Sequence, residues 1–281
     1  METKSQVGTK REGKRTRGVN AVIVIIGAFV LAVGFYLFIL GDPSHFEGAK
    51  SNSEVWTYKF HPKNGDMLGT MFMGGFVVPI ILTLLLTVFI LSFERAFALA
   101  KAKGHGNLIN FVYDVKKNLK KGDITAAESL CAKQKGSVAA IVDAGLKKYK
   151  EMETQNLPKE TKIEEIKAEL EEATALELPS MQQNLPIIAT ISTLGTLMGL
   201  FGTVLGMIKS FSALGTAGAV DSVALSVGIS EALVNTATGI ATGALAIIAY
   251  SFFSGKIDNM TYAIDEMGFA LTQTYAETHN S

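Results

Sequence analysis

An all-α integral membrane protein with about four transmembrane helices and a cytoplasmic helical bundle is the fold class that this sequence predicts, on three observations. Uncharged runs occupy residues 18–41, 67–93, 187–208 and 232–255. Each reaches the roughly 20 residues that an α-helix needs to cross a ~30 Å hydrocarbon layer. Apolar residues form 48% of the 281-residue chain while its formal net charge is zero, so the average hides a segregation of apolar from charged blocks. Of the 26 Lys and Arg residues, six precede the first run and fifteen fall between the second and third. Such an excess marks cytoplasmic flanks, which places both termini and the long middle segment on that side.

The elements follow in order. Residues 1–17 form a basic tail suited to anionic lipid headgroups. Residues 18–41 form the first span. Its apolar core is longer than the roughly 7–15 residues of a cleavable signal, so it reads as a retained anchor. A periplasmic connection, 42–66, carries Trp56, Tyr58 and Phe60, which read either as an interfacial aromatic belt or as a small folded cap, with the belt preferred. The second span covers 67–93, the cytoplasmic helical domain 94–185, the third span 186–212, a periplasmic loop 213–222, the fourth span 223–254 and a cytoplasmic C-terminal tail 255–281.

Within the soluble segment, Leu108, Phe111, Val112, Val115 and Leu119 recur at intervals of three and four, one apolar stripe of an amphipathic helix. Asp123 is placed to cap a second helix through Ala126, Ala127, Leu130 and Cys131, and Gly136-Ser137 opens a third through Ile141, Leu146 and Tyr149. Past Pro158, Ile163, Ile166, Leu170 and Ala173 share a face of a glutamate-rich helix. The glutamates read as its solvated side. This helix runs toward the third span, so stalk and span form one long element bent near Pro179 or Pro186.

Cofactor, metal and nucleic-acid chemistry find no foothold. Cys131 is the only cysteine, which excludes a disulfide framework. The four histidines are scattered and have no partners at metal-site spacing, so no metal is expected. The stretch from Gly8 to Arg15 has the glycine spacing and lysine of a phosphate loop, but Arg15 stands where a Ser or Thr must hold magnesium. No cofactor, nucleic acid or enzymatic activity is expected.

The last two spans carry the informative residues. Gly195, Gly199, Gly202 and Gly206 are spaced 4, 3 and 4 on the third span, and Gly239 and Gly243 are four apart on the fourth. Lipid tails are as apolar as leucine, so membrane helices associate through close backbone approach at such small-residue seams. Glu231, Asn235, Thr238 and Thr242 align along one face of the fourth span. A charge in a bilayer helix costs roughly 2.5–3.5 kcal/mol on insertion scales, so Glu231 should face an interior or water-filled path, the alternative being that it sits a turn below the outer interface and snorkels or pairs with a neighbouring subunit.

"TLMGLFGTVLGMIKSF", followed about twenty residues later by "ISEALVNTATGIATGALA", resembles the paired signature of the MotA/TolQ/ExbB proton-channel family, most closely ExbB. "SFERAFALAKA" and "GDITAAESLC" add weaker similarity, and the likeness covers roughly residues 68–265. The resemblance implies a ring-shaped homopentamer whose last two spans line a pore around an ExbD-like dimer of single-span helices carrying a transmembrane aspartate. It implies an inner-membrane motor that uses proton motive force, through a TonB-like transducer, to energise transport across the outer membrane. Thr203 matches the threonine of the "GTV" motif, Glu231 the glutamate of the last span, and Thr236 the threonine five residues beyond it.

Asn235 joins this proton-pathway set from helical geometry alone, although it lies about 100° from Thr236 around the helix. Prolines usual before the "GTV" stretch and at the end of the last span are missing, and the first span is additional. A TolQ-like envelope-maintenance motor or a MotA-like flagellar stator subunit is the runner-up, and a structural scaffold without conduction is the third reading.

Overall fold

The computed structural model describes residues 19–58, 60–216 and 222–279. The basic tail, the phosphate-loop-like stretch and most of the loop around Asp221 lie outside the described residues. The described chain is helical, apart from turns and one isolated antiparallel bridge between Phe46 and Pro62. Four helices are long and apolar enough to cross a membrane.

Helix α1 (Ala21–Phe35) starts where the Asn20 side chain accepts from the Val22 amide at 3.0 Å. It buries only Ala21, Val24, Ala28 and Ala32, mostly four apart, and packs them against α4. Its remaining face exposes Ile23, Ile26, Val30 and Leu31, which suits hydrocarbon better than water.

After a π-helical turn (Tyr36–Leu40), the connection folds as a cap around the short α2 (Asn52–Val55). Phe72, from the following helix α3 (Met67–Met73), is sandwiched between Tyr36 and Tyr58, with ring centroids at 4.7 and 5.2 Å, and meets Phe46 edge-on at 5.7 Å. The Tyr36 hydroxyl donates to the Phe72 carbonyl at 2.7 Å, and Trp56 Nε1 donates to the Leu37 carbonyl at 3.1 Å. The connection thus folds as a small cap, the second reading of these aromatics, while Trp56 and Tyr58 keep exposed faces. Tyr58 and Trp56 are held by rings and carbonyls of the flanking helices.

The run 67–93 is also not one uninterrupted helix. Gly74 and Gly75 separate α3 from α4 (Val77–Lys103), with Gly75 at φ 72°, a conformation that glycine adopts without a Cβ penalty.

Asn107 and Asp123 cap α5 (Leu108–Leu119) and α6 (Ile124–Gln134), each accepting a backbone amide at 2.9 Å. Helix α7 (Gly136–Thr154) completes this part of the bundle. Its core joins Val115, Leu119, Cys131, Ile141 and Leu146 to Ile166 of α8 (Lys159–Gln182). Burial holds Cys131 as a thiol by pushing its pKa up to about 12.

The bend between stalk and third span falls between the two prolines that flank it. Helix α8 continues through Pro179 to Gln182, and Asn184 turns the chain at φ 64° before α9 (Leu185–Thr216) begins. Arg95, fully buried, donates from Nη1 to the carbonyls of Ser180 and Met181 at 3.2 Å each, so the last turn of α8 keeps partners after the helix stops. Glu94 pairs with Arg95 and accepts from Asn184 Nδ2 at 3.3 Å.

Helix α10 (Ser222–Thr278) is 57 residues long, about 85 Å. The segment set apart as a tail from residue 255 continues it without a break and buries Ile257, Met260, Ile264, Met267 and Leu271 in the bundle.

Candidate functional site: the seam between the last two long helices

Helices α9 and α10 form the most extensive pairing in the protein, an antiparallel contact made through glycine. A Cβ on Gly239 would lie 2.6 Å from the Gly195 carbonyl oxygen and from Gly199 Cα. One on Gly243 would meet Ser192 O and Thr196 Oγ1 at 2.6 Å, and one on Gly206 would meet Ala232 Cβ at 2.8 Å. Gly195 and Gly199 face the backbone of α10 at 3.1 and 2.9 Å, and Gly202 faces Asn235 Cβ at 2.6 Å. All six glycines singled out from spacing thus lie on this seam. Gly228, which spacing did not reveal, joins it opposite the buried Ser210.

The polar residues divide between the two sides of the seam. On one side the hydroxyls of Thr203 and Thr236, both half-buried, hydrogen-bond to each other. Each also lies 3.2 Å from the carbonyl oxygen of Gly199, and Thr203 lies 3.3 Å from that of Ala232. Each hydroxyl has one proton to give and can also accept, so the pair can reverse which oxygen donates without moving a heavy atom.

On the other side Glu231 and Asn235 are buried at 4% and 2% exposure and line a cavity of about 360 Å³ with Tyr58, Gly74, Gly202 and Lys209. Lys209 Nζ reaches Glu231 Oε2 at 3.1 Å, and Asn235 Nδ2 donates to the Gly74 carbonyl at 3.0 Å. That second bond fixes the amide so that its oxygen is the free atom. Glu231 Oε1 and Asn235 Oδ1 are both buried without a protein donor. A buried acceptor left unpaired costs about 1–3 kcal/mol, so the cavity favours a proton, a cation or a water that donates to them.

The four residues expected from the sequence to line a proton pathway therefore do not share one surface of the protomer. Thr203 and Thr236 come together, Glu231 and Asn235 line the cavity, and one step around α10 separates Asn235 from Thr236. Thr238 and Thr242 donate back to the carbonyls of Val234 and Thr238, at 2.9 and 2.8 Å, and add nothing to either group. Sequence reasoning missed Gly74 and the pairing role of Lys209. The one available signal was that Lys209 is the sole charge in the third span.

Geometry of this kind defines a polytopic helical membrane protein whose last two spans form a glycine-closed hairpin carrying protonatable and hydroxyl groups. Residues 133–266 match the MotA/TolQ/ExbB proton channel family. Among curated relatives, the Tol-Pal system protein TolQ of Pseudomonas aeruginosa is 32% identical over 120 residues, 42% of this chain and 52% of that protein. The biopolymer transport protein ExbB of Pseudomonas putida is 27% identical over 198 residues, 69% of this chain and 56% of that protein. ExbB of Helicobacter pylori is 37% identical over 78 residues, 28% of this chain and 54% of that protein. The chain thus spans about half the length of these relatives. Over residues 133–266 it is similar to the MotA/TolQ/ExbB proton channel family, and its relatives are named both ExbB and TolQ.

Proposed function

We propose that this chain is the ring-forming subunit of an ExbB–ExbD type motor in the bacterial inner membrane, using proton motive force to energise TonB-dependent transport across the outer membrane. Five copies would form the ring. Their α9 and α10 helices would surround an ExbD-like dimer whose transmembrane aspartate carries the proton, with lipid outside the ring and a TonB-like protein receiving the motion. The distribution of Lys and Arg would place the bundle and both termini in the cytoplasm and the cap in the periplasm.

The observation that supports this reading best is the Thr203–Thr236 hydroxyl pair bridging the two spans at their glycine seam. A carboxyl on a partner helix that gains and loses a proton needs neighbours that both donate and accept. Threonine supplies both, and valine, of nearly the same shape, supplies neither. Each proton crossing a 100 mV potential releases about 2.3 kcal/mol, enough to bias motion of a helix pair within a collar.

Carrying Thr203→Val and Thr236→Val together should abolish energy-dependent uptake of a large substrate while leaving the assembled ring intact. Uptake at the unsubstituted rate would defeat the role assigned to the hydroxyls. A TolQ-like envelope-maintenance motor is the second reading, favoured by the similarity to the Pseudomonas aeruginosa TolQ. Loss of envelope integrity rather than of uptake in a deletion strain would select it.

A further inference from the structure

The bundle carries two unpartnered surfaces of opposite character. Between α4, α5 and α10 runs a groove of about 1070 Å³. Lys103, Lys116, Lys117, Lys120 and Lys256 line it, with Glu266 the one carboxylate, paired to Lys116 at 2.7 Å. Its apolar wall includes Tyr113 and Tyr262, at 65% and 71% exposure. The outward face of α8 is the complement. Glu164, Glu171 and Glu172 are exposed along it with Ala168, Ala175, Leu176 and Pro179, and the one cation on this face, Lys167, bridges Glu171 at 3.7 Å. Leu176, at 59% exposure, is its largest apolar group.

Depth decides whether the two surfaces can meet. Leu170 of α8 packs over Gly268 of α10, where a Cβ would lie 3.6 Å from Leu170 Cδ1. The two helices run antiparallel, so six residues from that contact toward the spans leads to Leu176 on α8 and to Tyr262 on α10. Both therefore stand about 9 Å above the contact. By the same count Glu171 and Glu172 stand at the level of Glu266 and its partner Lys116. In a ring whose axis is the membrane normal, neighbours are related without axial shift, so matching surfaces must lie at equal depth. These do, and they are carried by different elements, so one copy can present α8 while its neighbour presents the groove.

The geometry points to the groove between α4, α5 and α10 as the receptor for α8 of an adjacent copy of this chain, Leu176 seating beside Tyr262 and Glu171 and Glu172 facing the α5 lysines. The inference rests on the ring proposed above and adds to it the surfaces that make contact.

Cross-linking tests it in membranes. In a Cys131→Ser background, one tagged copy carries Leu176→Cys and a differently tagged copy carries Tyr262→Cys, and a short thiol cross-linker is added. The expected product is a dimer holding both tags, and a doubly substituted chain should give a ladder of oligomers. Lys117→Glu with Lys120→Glu should weaken the ladder about tenfold, and Glu171→Lys with Glu172→Lys should restore it.

Dimers linked through two copies of the same site would indicate a two-fold contact and overturn the inference. Native mass spectrometry in nanodiscs separates the remaining outcomes. A ring without the mixed cross-link rejects these surfaces and leaves the ring standing, whereas a monomer rejects both. Where the mixed cross-link is absent and the lysine substitutions release a co-purifying anionic phospholipid, the groove is a lipid site instead.

Discussion

Arg95 donates to the carbonyl of Met181 across the junction between stalk and membrane hairpin, at 3.2 Å and fully buried. The same guanidinium holds Ser180 O and pairs with Glu94, and Glu94 in turn accepts from Asn184, the residue that turns the chain. One arginine thus caps the end of α8 and fixes the angle at which α9 leaves it. Its fork does this with several donors in one plane, a geometry that a lysine ammonium cannot reproduce.

Replacing Arg95 by alanine leaves the Ser180 and Met181 carbonyls without their donor and the Glu94 carboxylate with Asn184 Nδ2 alone. Breaking a buried pair from one side costs roughly 3–5 kcal/mol. Far-UV circular dichroism of the purified protein in detergent should show a loss of stability of that order, with Arg95→Lys in between. A change below about 1 kcal/mol would mean that the junction holds without its cap.

The glycine seam predicts a contrast within one helix. Gly239→Ala places a methyl 2.6 Å from Gly195 O and Gly199 Cα, backbone atoms that cannot turn aside, whereas Gly255 has nothing within 4 Å of its Cβ position. Overpacking of this kind costs about 1–3 kcal/mol. Gly239→Ala should therefore destabilise the hairpin, and Gly255→Ala should be neutral or gain up to about 1 kcal/mol from removing a helical glycine. Thermal unfolding of the two variants side by side checks both signs.

The sequence made visible what depends on spacing along one helix. The 4, 3, 4 intervals of Gly195, Gly199, Gly202 and Gly206 located the seam, and the stripe from Leu108 to Leu119 and the Asp123 cap placed α5 and α6. Partners distant in the chain stayed hidden. Tyr58 is held by Phe72 and Tyr36 from flanking helices, and Asn235 turns inward because the Gly74 carbonyl, 161 residues away, receives its amide. Continuity of α10 was readable but unused. Ile257, Met260, Ile264, Met267 and Leu271 keep intervals of 3, 4, 3 and 4 past the Ser254-Gly255-Lys256 boundary, so the apolar stripe outlasts the change in composition.

Cys131 yields a reactivity prediction. Burial raises its thiol pKa to about 12, so almost no thiolate forms at neutral pH. Alkylation by a maleimide at pH 7 should be slow in the folded protein and reach the rate of a free thiol once denaturant unfolds the bundle. Rapid labelling of the native state would place Cys131 outside the core.

Acid should loosen the cap, and the chain's only tryptophan reports it. Asp66 accepts from the Gly69 amide at 3.0 Å, from His45 Nδ1 at 2.8 Å and from the Leu68 amide at 3.0 Å, and these bonds hold its carboxyl below the usual range. A depressed carboxyl pKa in the folded state contributes stability that is present above the unfolded value, near 3.9, and is lost as pH falls through the folded one. Fluorescence of Trp56, which donates to the Leu37 carbonyl at 3.1 Å, should therefore shift on acidification below about pH 4. Asp66→Asn keeps an oxygen to cap α3 but cannot titrate, so it should flatten that part of the curve.

The hydroxyl pair makes the sharpest energetic prediction. Thr203 and Thr236 bond to each other, and each lies 3.2 Å from the same Gly199 carbonyl. Removing one hydroxyl frees the other to donate fully to that carbonyl, so each single valine variant should lose little stability. Removing both leaves the Gly199 carbonyl without either hydroxyl, so the double variant should lose more than the sum of the singles. A double-mutant cycle by thermal unfolding should give a coupling energy of roughly 0.5–1.5 kcal/mol between two residues 33 positions apart in the chain. Thr203→Ser should retain that coupling, since serine keeps the hydroxyl and loses only the methyl. Additive single effects would mean that the two hydroxyls act independently, each satisfied by its own carbonyl.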